Sequence, residues 1–172
     1  LKYEKGRYYF WGVYAWSKVR RDDGIQVYAP NFDRRHNLNL VGNAKLGKNE
    51  QWYISVRWNL GTGFPFTPTQ GYYPGIDFLD PLGNPDINFD YTTANGDPTV
   101  LYGDLNSNRL PTYHRLDASL KYSGEWKYGT MEASIGATNM YNRENIFYYD
   151  RVAAERVNQL PIMPTISCSF SF

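Results

Sequence analysis

Cysteine occurs once, at Cys168, so no internal disulfide framework holds this chain together. No apolar run approaches the ~20 residues of a membrane helix, and no signal peptide is present. Charge of one sign is not in excess: 18 Lys and Arg against 17 Asp and Glu leave a formal net charge of +1, so the balance gives no reason to expect nucleic acid. Catalytic signatures are missing too. There is no CxxC, no HExxH and no serine in a nucleophile-elbow context, so the sequence predicts no enzyme and no cofactor. The chain opens without methionine on LKYEKGRYYFWGVYAW, already strand-like, which reads as a piece of a longer polypeptide.

Aromatic residues are what is abundant. They make up 17% of 172 residues, with 16 Tyr and 5 Trp, although mean hydropathy is low. That pairing suits apolar residues arranged in thin bands rather than one bulk core, and a Tyr-rich sugar-binding sandwich would share it. The length allows one ordinary domain.

The order of those residues says more. From Leu160 the even positions read Leu160, Ile162, Pro164, Ile166, Cys168, Phe170 and Phe172, and the odd ones Thr165, Ser167, Ser169 and Ser171. That is period two, one apolar face and one small polar face. The split recurs upstream. Leu38, Leu40, Ala44 and Leu46 oppose Asn37, Asn39, Asn43 and Lys45; Trp52, Ile54, Val56, Trp58 and Leu60 oppose Tyr53, Ser55, Arg57 and Asn59. Leu116, Ala118, Leu120 and Tyr122 oppose Arg115, Asp117, Ser119 and Lys121; Met131, Ala133, Ile135 and Ala137 oppose Glu132, Ser134, Gly136 and Thr138. Six strands are predicted, near 7–19, 35–46, 51–61, 112–122, 129–141 and 160–172. The first is aromatic on both faces and is not oriented by its sequence.

A sandwich core also alternates, so the connections carry more weight. GKNE and SGEWKYG are short; 20–34, 62–111 and 142–159 are long, and short and long take turns. Tight turns at one end and long loops at the other are the pattern of a transmembrane β-barrel. Trp52, Tyr122, Trp126, Tyr128 and Phe172 fall near the short-turn ends, and Trp58, Tyr113 and Tyr141 near the long-loop ends, where two interfacial girdles belong. Six strands are fewer than the ~8 of the smallest usual barrel, and an open sheet in lipid leaves its edges unsatisfied. With Asn39, Asn43, Lys45, Arg57, Arg115, Asp117, Lys121 and Glu132 on the inner face, the predicted parent is a large barrel with a wet or plugged interior.

The segments FDRRHNLNLV after YAPN, WYISVRWNLGTGFPFTP, LPTYHRLDASLKY, ASIGATNMYNRENIFYY and LPIMPTISCSFSF, in that order, resemble the C-terminal barrel strands of TonB-dependent outer-membrane receptors, with a Bacteroidetes-like flavour. The resemblance runs along nearly the whole chain. It implies an all-β antiparallel fold, the last six strands of a twenty-two-stranded plugged barrel in the outer membrane of a Gram-negative cell. The implied partners are outer-membrane lipid, the protein's own plug and remaining barrel, TonB through the absent N-terminal part, and the barrel-assembly machinery. The resemblance also implies that Ile166, Cys168, Phe170 and Phe172 form the assembly signal; with the TonB-contacting box absent, residues that touch TonB are not assigned to any position here.

Ligand chemistry, on this reading, belongs to the long loop 62–111. It holds six Asp and one Arg, a net of −5, together with eight aromatic residues. Tyr72, Tyr73, Asp77, Phe78, Asp80, Phe89, Tyr91 and Tyr102 are its candidate ligand-binding residues. Aromatics with Asp and Asn suit neutral saccharides or peptides, whereas an anionic ferric chelate would rather meet Arg or Lys. A self-packed lid without ligand contact is the plainer reading. DFLDPLGNPDINFD offers carboxylates without EF-hand spacing, and no metal is assigned. Its Pro, Gly and Asn content predicts turns rather than strands. Arg57, Asn59, Arg115 and Asp117 are predicted to face the lumen as an ion-pair ladder or as contacts to plug or ligand. His36 and His114 lie on the apolar parity at the outer strand ends, where polar headgroup-level residues are ordinary; a dyad or metal pair is the less ordinary reading. The alternative function is a soluble or surface β-sheet module binding glycans through Tyr and Trp.

Overall fold

Strict alternation of polar and apolar residues is satisfied only by extended backbone, whose successive side chains leave on opposite faces. A computed structural model describes residues 1–75, 97–151, 153 and 155–172. Among these residues it is all-β, 65% strand with no helix. Its main body is one antiparallel sheet of seven strands in chain order: β1 (Lys2–Lys5), β2 (Tyr8–Trp16), β3 (His36–Leu46), β4 (Trp52–Gly61), β5 (Tyr113–Trp126), β6 (Gly129–Thr138) and β7 (Met163–Ser171). Every strand pairs with its sequence neighbours alone, so the sheet is a simple up-and-down meander with β1 and β7 as free edges. Among the described residues the sheet is open, with no closed barrel.

Strand ends depart from the sequence expectation: the first long strand ends at Trp16 rather than 19 and the last begins at Met163 rather than 160, and three further differences have a visible cause. The stretch before Tyr8 pairs as a separate strand, Lys2 opposite Trp11 and Lys5 opposite Tyr8, because Gly6 takes a positive φ of 56° and allows a tight turn. β5 runs on to Trp126, which pairs with Gly129, so SGEW belongs to the strand. β6 stops at Thr138, where Asn139 adopts φ 56°.

Register fixes both faces. One row reads Tyr8, Ala44, Ile54, Leu120, Ile135, Ile166 across six strands. The neighbouring row on the other face reads Tyr9, Asn43, Ser55, Ser119, Gly136, Thr165. The strand that its own sequence leaves unoriented is thereby oriented: Tyr8, Phe10, Tyr14 and Trp16 lie on the apolar face, Tyr9, Trp11 and Val13 on the polar one. Tyr113 lies on the polar face, beside Asn59 and Arg115 in sequence parity, so it does not join the band of Trp58 and Tyr141.

Among the described residues nothing covers the apolar face. The described residues contain no buried hydrophobic side chain; Ile135 is 58% and Ile166 84% exposed. The chain exposes 12790 Å², where a compact protein of 20.0 kDa exposes about 8,700 Å². A sandwich would have a second sheet against this face; none is present among the described residues.

At one end of the meander the connections are tight: Gly6–Arg7, residues 47–51, and Lys127–Tyr128. At the other end they are long, 17–35, 62–112 and 139–162, and each folds back as a hairpin. Arg21–Asp22 pairs with Val27–Tyr28, Thr69–Gly75 with Asp97–Tyr102, and Ile146–Asp150 with Glu155–Asn158, while Pro65–Phe66 pairs with Asn108–Arg109. The long segment 62–111 is therefore strand-bearing in its described parts, a correction to the turn-only reading. Proline and glycine are tolerated there because these are two-stranded ribbons with free edges.

Candidate functional site

The long-loop end is built on buried polar residues. Asp33 is 1% exposed. Its carboxylate accepts the Val19 amide at 2.9 Å, the Arg35 Nε at 3.1 Å and the Arg109 Nη2, and Arg109 Nη1 donates to the Asp33 and Gly63 carbonyls at 2.8 and 3.1 Å. Burial pushes this carboxyl up, but the Val19 amide and the two guanidiniums outweigh it and hold Asp33 down at about 2. The cluster ties the first long connection to the second. A second tie is Asn106, which donates its side-chain amide to the Ala29 carbonyl at 2.8 Å and its backbone amide to Thr67 Oγ1 at 3.0 Å.

Asparagines do the same for the third connection. Asn139, fully buried, donates to the Arg143 and Leu160 carbonyls at 3.0 and 3.2 Å and accepts the Arg143 amide at 3.0 Å. Asn145, 4% exposed, exchanges two bonds with the His114 backbone. Each replaces backbone partners that a departing loop lacks. Sequence reading missed these four residues, since Asp and Asn in loops read as turn formers. The run NMYNREN, with asparagine every third residue, was the one available signal.

On this base stands a cleft of about 690 Å³ between two hairpins. Phe66, Thr67 and Tyr72 line one side, and Phe147, Tyr148 and Tyr149 the other, with Asp150 and Arg151 at the junction. Arg151 fastens the two. Its Nη2 donates to the Thr67 carbonyl at 2.8 Å, its guanidinium lies 4.8 Å from the Tyr102 ring centroid, and its own carbonyl accepts the Tyr72 hydroxyl. The Phe66 and Tyr149 rings sit 6.2 Å apart. The size and the aromatic lining suit a small-molecule site, which commonly spans about 300–1,000 Å³.

Of the loop residues singled out from sequence, Tyr72 lines this cleft and Tyr102 supports it from beneath Arg151; Tyr73 is exposed and outside it. Asp77, Phe78, Asp80, Phe89 and Tyr91 lie outside the described residues. The aromatic triplet 147–149 was not chosen, because its contribution depends on the third hairpin folding toward the second.

On the polar face, Asp117 is opposite Arg57 and Arg115 opposite Asn59. Arg115 donates to Asp117 at 2.9 Å, and the other Asp117 oxygen accepts the Asn139 amide at 3.0 Å. Lys121 and Glu132 pair at 2.8 Å. The four sequence-chosen residues Arg57, Asn59, Arg115 and Asp117 thus share one face of two adjacent strands, with one ion pair among them, Arg115–Asp117. On the apolar face, Ile166, Cys168 and Phe170 share one side of β7, with Phe172 fully exposed beyond it.

Both histidines are held by separate tyrosines. His36 Nδ1 lies 2.7 Å from the Tyr14 hydroxyl and His114 Nδ1 lies 2.6 Å from that of Tyr141, and no cluster of metal-ligating residues occurs among the described residues. Trp52 and Tyr122 pack at 4.8 Å between centroids at the opposite end of the sheet. Compared with known proteins, the chain matches no family model, no curated protein and no solved structure. What it does has to be argued from the sheet and the cleft.

Proposed function

We propose that this chain is barrel wall and outer loops from the C-terminal part of a TonB-dependent outer-membrane receptor that takes up a nutrient. The observation that carries the reading is the uncovered apolar face of a seven-stranded meander. Water is a poor solvent for that face, since each Å² of apolar surface left wet forgoes roughly 25 cal/mol. Lipid is a good one.

Three features agree. The six longer strands have 9 to 14 residues, enough to cross a hydrocarbon core when tilted. Apart from Tyr8, which shares a row with Ile54 and Ile135, the tyrosines and tryptophans of the apolar face gather toward its two ends, Trp52 and Tyr122 at one, Tyr14, Trp16, Trp58 and Tyr141 at the other, as an aromatic belt requires. The polar face carries charged groups, Arg57, Arg115, Asp117, Lys121 and Glu132, that a plug or a wet lumen would accommodate.

The reading also needs more strands. β7 is an uncharged edge, and an open edge in lipid costs several kcal/mol for each unsatisfied group; the remaining barrel would close on it and on β1. Ligand capture then falls to the long connections, and Ile166, Cys168, Phe170 and Phe172 on the outer side of β7 serve as the assembly signal. Two results are expected from the intact polypeptide expressed in a Gram-negative host. It fractionates with outer membrane and migrates faster on gels unheated than boiled. Changing Phe170 and Phe172 together to Ser lowers its outer-membrane level several-fold. Recovery of the unaltered polypeptide in the aqueous fraction would refute the receptor reading.

A further inference from the structure

We infer that the cleft between the second and third long connections binds a neutral saccharide. The inference deepens the receptor reading and rests on it for the location of the cleft outside the membrane. It stands on how the lining is already committed.

Rings dominate the cleft: Phe66, Tyr72, Phe147, Tyr148 and Tyr149 line it. Phe147, Tyr148 and Tyr149 are 64%, 48% and 43% exposed, so they have surface to offer. Flat apolar rings bearing hydroxyls match the C–H faces and equatorial hydroxyls of a sugar ring. The two charges at the junction are not free counter-ions. Arg151 is spent on the Thr67 carbonyl and the Tyr102 ring, and Asp150 accepts the Ala153 amide at 3.0 Å. Their signs also cancel. With one acid and one base on adjacent positions the lining has no net charge to repay a charged ligand for its lost hydration, whereas a neutral polyol exchanges water for ring faces and the hydroxyls of Tyr148, Tyr149 and Thr69.

Arg151 gives the site its shape. It joins both hairpins in one set of contacts, so the cleft walls are fixed relative to one another before any ligand arrives. Saccharide affinity is small per contact, and a preformed cleft is what such a ligand needs.

The test uses the intact polypeptide in a detergent without a sugar headgroup, applied to an array carrying neutral glycans, acidic glycans and charged peptides. Binding is expected on neutral glycans. The double variant Tyr148→Ala/Tyr149→Ala is expected to lose about tenfold or more in affinity, Tyr149→Phe to keep most of it, and Tyr128→Ala, at the far end of the sheet, to keep all of it. Heat-modifiable migration of each variant shows that it has folded. Folded protein that binds no neutral glycan, that binds only the charged probes, or that is indifferent to the double variant overturns the saccharide assignment. Any of those results leaves the receptor reading standing, because fractionation and migration test it separately.

Discussion

Ile135→Arg is expected to destabilise the intact protein by about 2–4 kcal/mol when it is folded in a bilayer. Ile135 sits in the middle of β6 between Leu120 and Ile166, and its side chain is 58% exposed. That exposure makes the substitution informative. In a protein surrounded by water, arginine at such a position would change stability by within about 0.5 kcal/mol. In lipid it must bring a charge into hydrocarbon or drag its surroundings out of place. Ser134→Arg, one residue earlier and on the opposite face, is expected to be nearly neutral. Equilibrium unfolding of the two variants in lipid vesicles measures the difference, and equal effects would mean that the two faces share one solvent.

Removing Asp33 is the second large effect. Asp33→Ala leaves Arg109 and Arg35, whose side chains are 29% and 32% exposed, facing a cavity without their counter-charge, and leaves the Val19 amide unpaired. Breaking a buried pair by deleting one member costs about 3 kcal/mol or more. The damage should be local: faster proteolysis within 17–35 and 62–112, with the sheet intact. The same carboxylate confers an acid dependence. Its folded pKa of about 2 lies below the ordinary 3.8, so the folded state favours the ionised form. The stabilisation, about 2 kcal/mol, is complete above pH ~4 and is lost as pH falls through about 2. Loop proteolysis in wild type should accordingly rise on acidification across that window, and Asp33→Ala should show no such rise.

Much of the sheet was legible because side-chain period in a strand has no freedom. Once Leu40, Ile54, Leu120, Ile135 and Ile166 are placed on one face, every neighbour follows, and the register bears out all five of those assignments. The strand Tyr8–Trp16 was opaque since rings occupy both parities; its pairing with β3 decided it. The hairpin Thr69–Gly75 with Asp97–Tyr102 was opaque for another reason. TQGYYPG carries glycine and proline at strand positions, and its partner lies more than twenty residues away, so no local pattern signals it. The cleft inherits that difficulty. Tyr72 stood out as an aromatic in a long loop, but Phe147, Tyr148 and Tyr149 become lining only through the approach of a separate hairpin, a long-range contact held by Arg151.

The lone cysteine offers the most direct test of the central claim, that one face of this sheet meets lipid. Cys168 lies on the apolar side of β7 opposite Ala133, and Ser169 on the other side opposite Glu132. A nitroxide attached at Cys168, and one moved to position 169 with Cys168→Ser and Ser169→Cys, would be compared in the intact protein in lipid vesicles by collision with oxygen and with a water-soluble nickel chelate. The account predicts that the label at 168 collides with oxygen and is shielded from nickel, and that the label at 169 does the reverse. Free access of nickel to both labels would contradict it.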